Sequence, residues 1–329
     1  MHNITAPHKV DLALLPTPIY YLERFSRKLG VNIFVKRDDM TGVELSGNKI
    51  RKLEYHLADA IKKGKDAVIT FGGIQSNHCR ATVYAARRLG LMPILIHSGQ
   101  EPEMAEGNYF LNKLAKAKTF FAPDVDFFNP KSAIKEAEQW AVHKGLKTAV
   151  IPLGASDAMG LWGYIGCARE IKDYTNEKRT VFNKVICTVG SGGTYGGLLA
   201  GSKLYGLDSE IIGFNVLETA ELVKELVSKQ LFDFEEKFSV QLGVKDDINI
   251  IDGYVGAGYG KTWPELIALI EEVAVEEGIV LDPVYTGKAF YALVDQIKKG
   301  LFREGDNVLF LHTGGIYGVF PHRRQFIMK

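Results

Sequence analysis

The chain has 329 residues, 40 basic and 39 acidic, for a net charge of +1; at roughly 150 residues per domain it can form about two domains around large cores. The balanced charge argues against nucleic acid or an anionic membrane surface as partner, and no stretch reaches the roughly 18 uninterrupted apolar residues of a membrane span. Cys79, Cys167 and Cys187 lie too far apart for a zinc or dithiol pair, and residues 1–22 lack a signal-peptide pattern, so no metal and a cytoplasmic, reduced protein are expected.

In chain order, β-branched or apolar runs predict strands at 31–36, 67–71, 93–97, 148–152, 184–189, 210–216 and 307–312. Amphipathic stretches predict helices at 50–63, 81–89, 132–144, 263–277 and 288–298, with Gly64, Gly90, Gly145, Gly278 and Gly300 placed as C-terminal caps. Alternation of strand and helix over the whole chain implies an α/β fold of mostly parallel sheets covered on both faces. No repeat and no linker interrupts it. Any two domains must therefore share a broad interface, and a cleft between them is the natural ligand site.

Four segments carry candidate chemistry. Ser-Gly-Asn-Lys-Ile-Arg-Lys-Leu-Glu at 46–54 places Lys49 in the first turn of a helix, where the helix dipole and burial both disfavour the ammonium form; a solvated basic helix start is the alternative. Gly72-Gly73-Ile74-Gln75-Ser76-Asn77-His78 follows a strand and opens a helix, with Ser76 or Asn77 as cap, and makes a pocket suited to a carboxylate. Gly190-Ser191-Gly192-Gly193-Thr194 joins a strand to a helix and can wrap one phosphate; Tyr195 in place of the third glycine argues against a dinucleotide and hence a nicotinamide oxidoreductase. Asp282-Pro283-Val284-Tyr285-Thr286 and His312-Thr313-Gly314-Gly315 bring a phenol and hydroxyls to strand ends. A lysine, a carboxylate pocket and a single-phosphate loop together suit pyridoxal 5'-phosphate acting on a small amino acid.

These segments, with 254–260, resemble the D-cysteine desulfhydrase and 1-aminocyclopropane-1-carboxylate deaminase family over the whole chain. The resemblance implies the tryptophan-synthase-β-like fold, fold type II of the pyridoxal-phosphate enzymes. A large cofactor domain would comprise residues 1–53 and 166–329, with a small inserted domain at 54–165, and the enzyme would be a homodimer. Carried over, Lys49 holds the cofactor covalently and Asn48, Asn77, Gly190, Ser191, Gly192, Gly193, Thr194, Thr286 and Thr313 contact it. Ser76, Asn77 and His78 hold the substrate carboxylate, Tyr285 approaches the substrate, and Ser76 either moves a proton or simply caps its helix.

Within the family, Thr286 and Thr313 stand where ring-opening deaminases are expected to carry Glu and Leu. The resemblance therefore favours β-elimination from D-cysteine to pyruvate, hydrogen sulfide and ammonia. L-cysteine, cysteate, β-chloroalanine and aminocyclopropane carboxylate remain alternative substrates.

Overall fold

The computed structural model describes residues 4–123 and 130–327. Its strands fall into two sheets. The first helix and strands, β1 (Ile19–Tyr21), α1 (Glu23–Leu29) and β2 (Asn32–Lys36), lead into α2 (Lys49–Lys62). Then follow β3 (Ala67–Gly73), α3 (Asn77–Arg88), β4 (Met92–Ser98), α4 (Gly107–Leu114), β5 (Lys118–Phe121), α5 (Lys131–His143) and β6 (Thr148–Val150). The chain continues through α6 (Leu161–Lys178), β7 (Lys184–Val189), α7 (Gly193–Tyr205), β8 (Glu210–Asn215), α8 (Ala220–Phe238) and β9 (Asn249–Ile251). It closes with α9 (Pro264–Glu277), α10 (Thr286–Lys298), β10 (Asn307–Leu311) and α11 (Arg323–Ile327).

One sheet has the order β1-β2-β10-β7-β8-β9 and the other β5-β4-β3-β6; β1 alone runs antiparallel to its neighbour. The central strands β3, β7 and β10 are near-continuous apolar runs because helices cover both faces, which is what a parallel sheet requires. Strands of the four-stranded sheet all lie between residues 67 and 150, whereas both ends of the chain feed the six-stranded one. The boundaries expected at 53/54 and 165/166 fall inside α2 and α6, so two continuous helices run across them.

Three short strands, β1, β5 and β9, were not expected; each lies at a sheet edge and is too short to show alternation. Helix α3 starts at Asn77 behind its Ser76 cap, as the segment 72–78 implied, and ahead of the amphipathic stretch at 81–89, because its first turn is the polar Asn-His-Cys-Arg and apolar spacing begins only afterwards. Helix α10 likewise starts at Thr286, two residues ahead of expectation. Nearly every side chain of α7 is buried, which erases the amphipathic signature of a surface helix.

The start of α2 is fixed by a buried ionic network. Arg51 makes a two-pronged bond to Asp38 (2.8 Å and 2.8 Å) and another to Glu170 of α6 (2.7 and 2.9 Å). Lys36 bridges to Glu170 at 2.7 Å, and the Tyr164 and Thr17 hydroxyls donate to Asp38 at 2.6 and 2.7 Å. Helix α6 approaches so closely that a Cβ on Gly163 would lie 2.6 Å from the Arg51 carbonyl oxygen. This packing fixes α2 two residues beyond Lys49.

Candidate active site

A cavity of about 320 Å³ opens where the C-terminal ends of β3, β7 and β10 meet the starts of α2, α3 and α7. Parallel strands deliver their loops to one edge, which is why ligands of open α/β sheets gather there. Among the expected residues, Asn48, Lys49, Ser76, Asn77, His78, Gly190, Ser191, Gly192, Thr194, Tyr285 and Thr313 line it.

Lys49 is the first residue of α2, and burial lowers its amine to about 8. Lys52, one turn on, is fully buried; desolvation and the neighbouring Lys49 charge push it well below an ordinary lysine, and it donates to Ser156 Oγ at 2.9 Å. Ser156 Oγ lies 2.8 Å from Ser191 Oγ, so a second lysine reaches the glycine loop. Asn48 ties the two elements together: its Nδ2 donates to Thr194 Oγ1 at 2.9 Å, and its backbone N–H donates to the Thr313 carbonyl at 3.0 Å.

Ser76 caps α3, its Oγ accepting from the Cys79 N–H at 3.2 Å. Buried Asn108 accepts from Arg80 at 2.7 Å and donates to Asn77 Oδ1 at 2.9 Å. That chain of donors fixes the Asn77 amide and leaves its Nδ2 free to donate to a ligand. His78 differs from expectation. The Thr70 hydroxyl donates to the Ile151 carbonyl at 2.9 Å, so it must accept from His78 Nε2 at 2.7 Å. Burial keeps the imidazole neutral, and Nδ1 is then an acceptor with no partner. Its side chain offers a carboxylate no donor; Ser76, Asn77 and backbone N–H groups must supply them.

Gly193 and Thr286 stand outside the lining. Gly193 packs on Ser156, where a Cβ would lie 2.6 Å from Oγ, and Thr286 Oγ1 donates to Asp282 Oδ1 at 2.8 Å. The same Asp282 carboxylate accepts from the Val284, Tyr285 and Thr286 N–H groups at 2.8–2.9 Å, which sets the direction of Tyr285. The Tyr285 hydroxyl meets that of Tyr259 at 2.5 Å; burial raises both phenols, so the pair stays protonated.

Sequence reasoning missed Tyr259, Gly154, Thr188, Leu217 and Glu218 as cavity residues, and Lys52 and Ser156 behind them. Lys52 could have been found from its spacing of three from Lys49 on one helix face. Tyr259 lies in the glycine-rich stretch 254–260, but no local pattern says that this loop folds over the cavity.

The family model described as pyridoxal-phosphate dependent enzyme matches residues 10–314. The chain belongs to that family. It is 40% identical over 96% of its length to a Pyrococcus abyssi protein named "Putative 1-aminocyclopropane-1-carboxylate deaminase", covering 94% of that protein. It is 37% identical to a D-cysteine desulfhydrase of Klebsiella pneumoniae, covering 98% of each chain. A solved structure of an ACC deaminase homologue superposes with a TM-score of 0.88 at 38% identity, over 99% of this chain and 98% of that one. The protein is thus a pyridoxal-phosphate-dependent enzyme with the type II fold.

The residues present fit that cofactor. The glycine loop at the start of α7 has first-turn N–H groups for a phosphate, with Lys52 and Ser156 behind it. Thr188 Oγ1 is buried in the lining with no partner, and such a group calls for a polar ligand. Gly154 leaves the room: at φ +65°, a Cβ there would lie 2.4 Å from Ser191 Oγ and 3.1 Å from Lys49 Nζ. Gly154→Ala is therefore expected to weaken cofactor binding by about 1–3 kcal/mol, the usual cost of overpacking. Titration of the apoprotein with pyridoxal phosphate checks this; unchanged affinity would contradict the close approach.

Proposed function

We propose that the enzyme is a carbon–sulfur lyase that converts D-cysteine and water to pyruvate, hydrogen sulfide and ammonia. The observation that carries this reading is the neutral end of the cavity. Thr313 lines it, Thr286 is engaged by Asp282, and among the described lining residues Glu218, exposed at the mouth, is the sole carboxylate. Ring opening of a cyclopropane needs a strong electron sink, which a carboxylate beside the pyridine nitrogen would favour. Thiolate, with a parent pKa near 8.5, leaves without one.

Bound pyridoxal phosphate supplies the electron sink that lets the substrate α-carbon lose its proton. Lys49 would hold it and, once the substrate amine takes its place, act through its Nζ as the base for that proton. Asn77 Nδ2 would donate to the cofactor's phenolic oxygen, and Ser76 with the N–H groups opening α3 would hold the substrate carboxylate. The loop 190–194, with Lys52, would hold the phosphate. Tyr285 and Tyr259, protonated and facing the same space, would donate to the departing sulfur. The relatives' names support the reaction class: one is named "D-cysteine desulfhydrase" and another "Putative 1-aminocyclopropane-1-carboxylate deaminase". A homodimeric, cytoplasmic enzyme belongs to the same reading; the dimer rests on the family resemblance, and the cytoplasmic placement on the dispersed cysteines and the N-terminal sequence.

The test is to supply the holoenzyme separately with D-cysteine, L-cysteine and aminocyclopropane carboxylate. Sulfide and pyruvate in equal amounts from D-cysteine are expected. Ketobutyrate from aminocyclopropane carboxylate with no sulfide from D-cysteine would overturn the reading.

A further inference from the structure

Tyr259 stands on a loop that should not hold still. Residues 253–260 contain four glycines at positive φ, Gly253, Gly256, Gly258 and Gly260, and such backbone has wide freedom unless something fastens it. Nevertheless the Tyr259 ring reaches across the cavity: a Cβ on Gly73, at the end of β3, would lie 3.7 Å from it, and its hydroxyl meets Tyr285. The base of the loop is anchored where Tyr254 donates to Asp295 of α10 at 2.6 Å.

The tip is held by Lys288. This residue lies one turn after Tyr285 on α10, is fully buried, and among the described residues forms no ion pair with a carboxylate. Its Nζ donates instead to the carbonyls of Val255 at 2.6 Å and Gly258 at 3.1 Å, over the face of Trp263 at 5.7 Å. A buried ammonium satisfied by two loop carbonyls is a charge-assisted fastener, and the chain must bring those carbonyls to it or leave the charge unpaired.

We infer that Lys288 is a positioning residue: it clamps the loop 255–258 so that the Tyr259 hydroxyl meets that of Tyr285 over the substrate. One helix turn thereby sets both phenols, Tyr285 through Asp282 and Tyr259 through Lys288. The inference rests on the proposed reading in that the two phenols face the substrate, but the clamp itself does not depend on which amino acid is turned over.

The test pairs Lys288→Met with Tyr259→Phe and uses two readouts on the holoenzyme. Lys288→Met should lower kcat/KM for D-cysteine roughly tenfold in the wild-type background and less than about twofold when Tyr259 is already Phe, because a residue acting through another has nothing left to act on. Cofactor content and absorbance should not change. Amide hydrogen exchange of residues 254–260 should accelerate, and this readout needs no substrate. Equal losses in both backgrounds with unchanged loop exchange would overturn the clamp. Faster loop exchange in an enzyme that ignores D-cysteine would keep the clamp and reject the substrate. Should Lys288→Met not fold, Lys288→Gln, a neutral donor one bond shorter, is read in the same two ways.

Discussion

Lys49→Ala is expected to lower turnover by at least roughly a thousandfold, since in the proposed reading one amine serves both as the cofactor's covalent anchor and as the base for the substrate proton. The cofactor's absorbance should then behave as that of a bound but removable molecule, lost on dialysis. The pH behaviour of the wild type follows from the same amine. Burial lowers Lys49 to about 8, so the neutral, nucleophilic form predominates above that pH and disappears below it. The rate at which the apoprotein captures pyridoxal phosphate should therefore rise with pH and level off just above 8. A rate still climbing near 10, where an ordinary lysine loses its proton, would show that Lys49 is not desolvated. A Lys49→Ala enzyme that retained more than a tenth of its activity would rule out both roles.

Arg51→Met is expected to cost about 3–5 kcal/mol of folding stability, because it leaves Asp38 and Glu170 as buried charges without their shared partner. Against a typical total of about 5–15 kcal/mol that is a large fraction, and the first turn of α2 should loosen with it. Urea unfolding at pH 7 measures the loss directly, with an unchanged slope marking a change in stability alone. The acid limb gives an independent check. Arg51 and Lys36 hold Asp38 at about 2, below its ordinary 3.8, despite its burial. A depressed carboxylate stabilises the fold fully above its unfolded value and ceases to do so as pH falls through the folded one. The wild type should thus lose this contribution between about pH 4 and 2, and Arg51→Met should lack that step. A loss under 1 kcal/mol would mean that Lys36, Tyr164 and Thr17 suffice to hold Asp38.

The parts of this molecule that announce themselves in sequence are those whose physics is local. Strand β7 was readable from Lys184 to Val189 because a buried parallel strand must be apolar throughout, and the turn after it from the small residues in succession at Gly190–Thr194, most of which line the cavity. Lys49 was readable as a candidate from its place at a helix start, the family resemblance singled it out, and it lines the cavity. The remainder depends on distance in the fold. Thr286 looked equivalent to Thr313 along the chain, and only the turn around Asp282 draws its hydroxyl away from the cavity. The role open to His78 is set by Thr70 and Ile151, the latter 73 residues along the chain, through the direction of one hydroxyl hydrogen. Tyr259 reaches the cavity through Tyr285 and Lys288, at the start of a helix 26 and 29 residues later in the sequence, and no periodicity records that meeting. The edge strands β1 and β9 illustrate the same limit, since three residues carry no pattern.

Reduction of the holoenzyme with borohydride, followed by peptide mapping, tests most directly whether Lys49 carries the cofactor in the cleft between the two sheets. Three lysines compete on chemical grounds: Lys49 and Lys52 are both lowered by burial, and Lys288 is lowered to about 8. The geometry predicts a stable pyridoxyl adduct on Lys49 alone, because Lys52 is turned toward Ser156 and Lys288 toward the carbonyls of Val255 and Gly258. An adduct on Lys52 or Lys288, with Lys49 unmodified, would contradict the account.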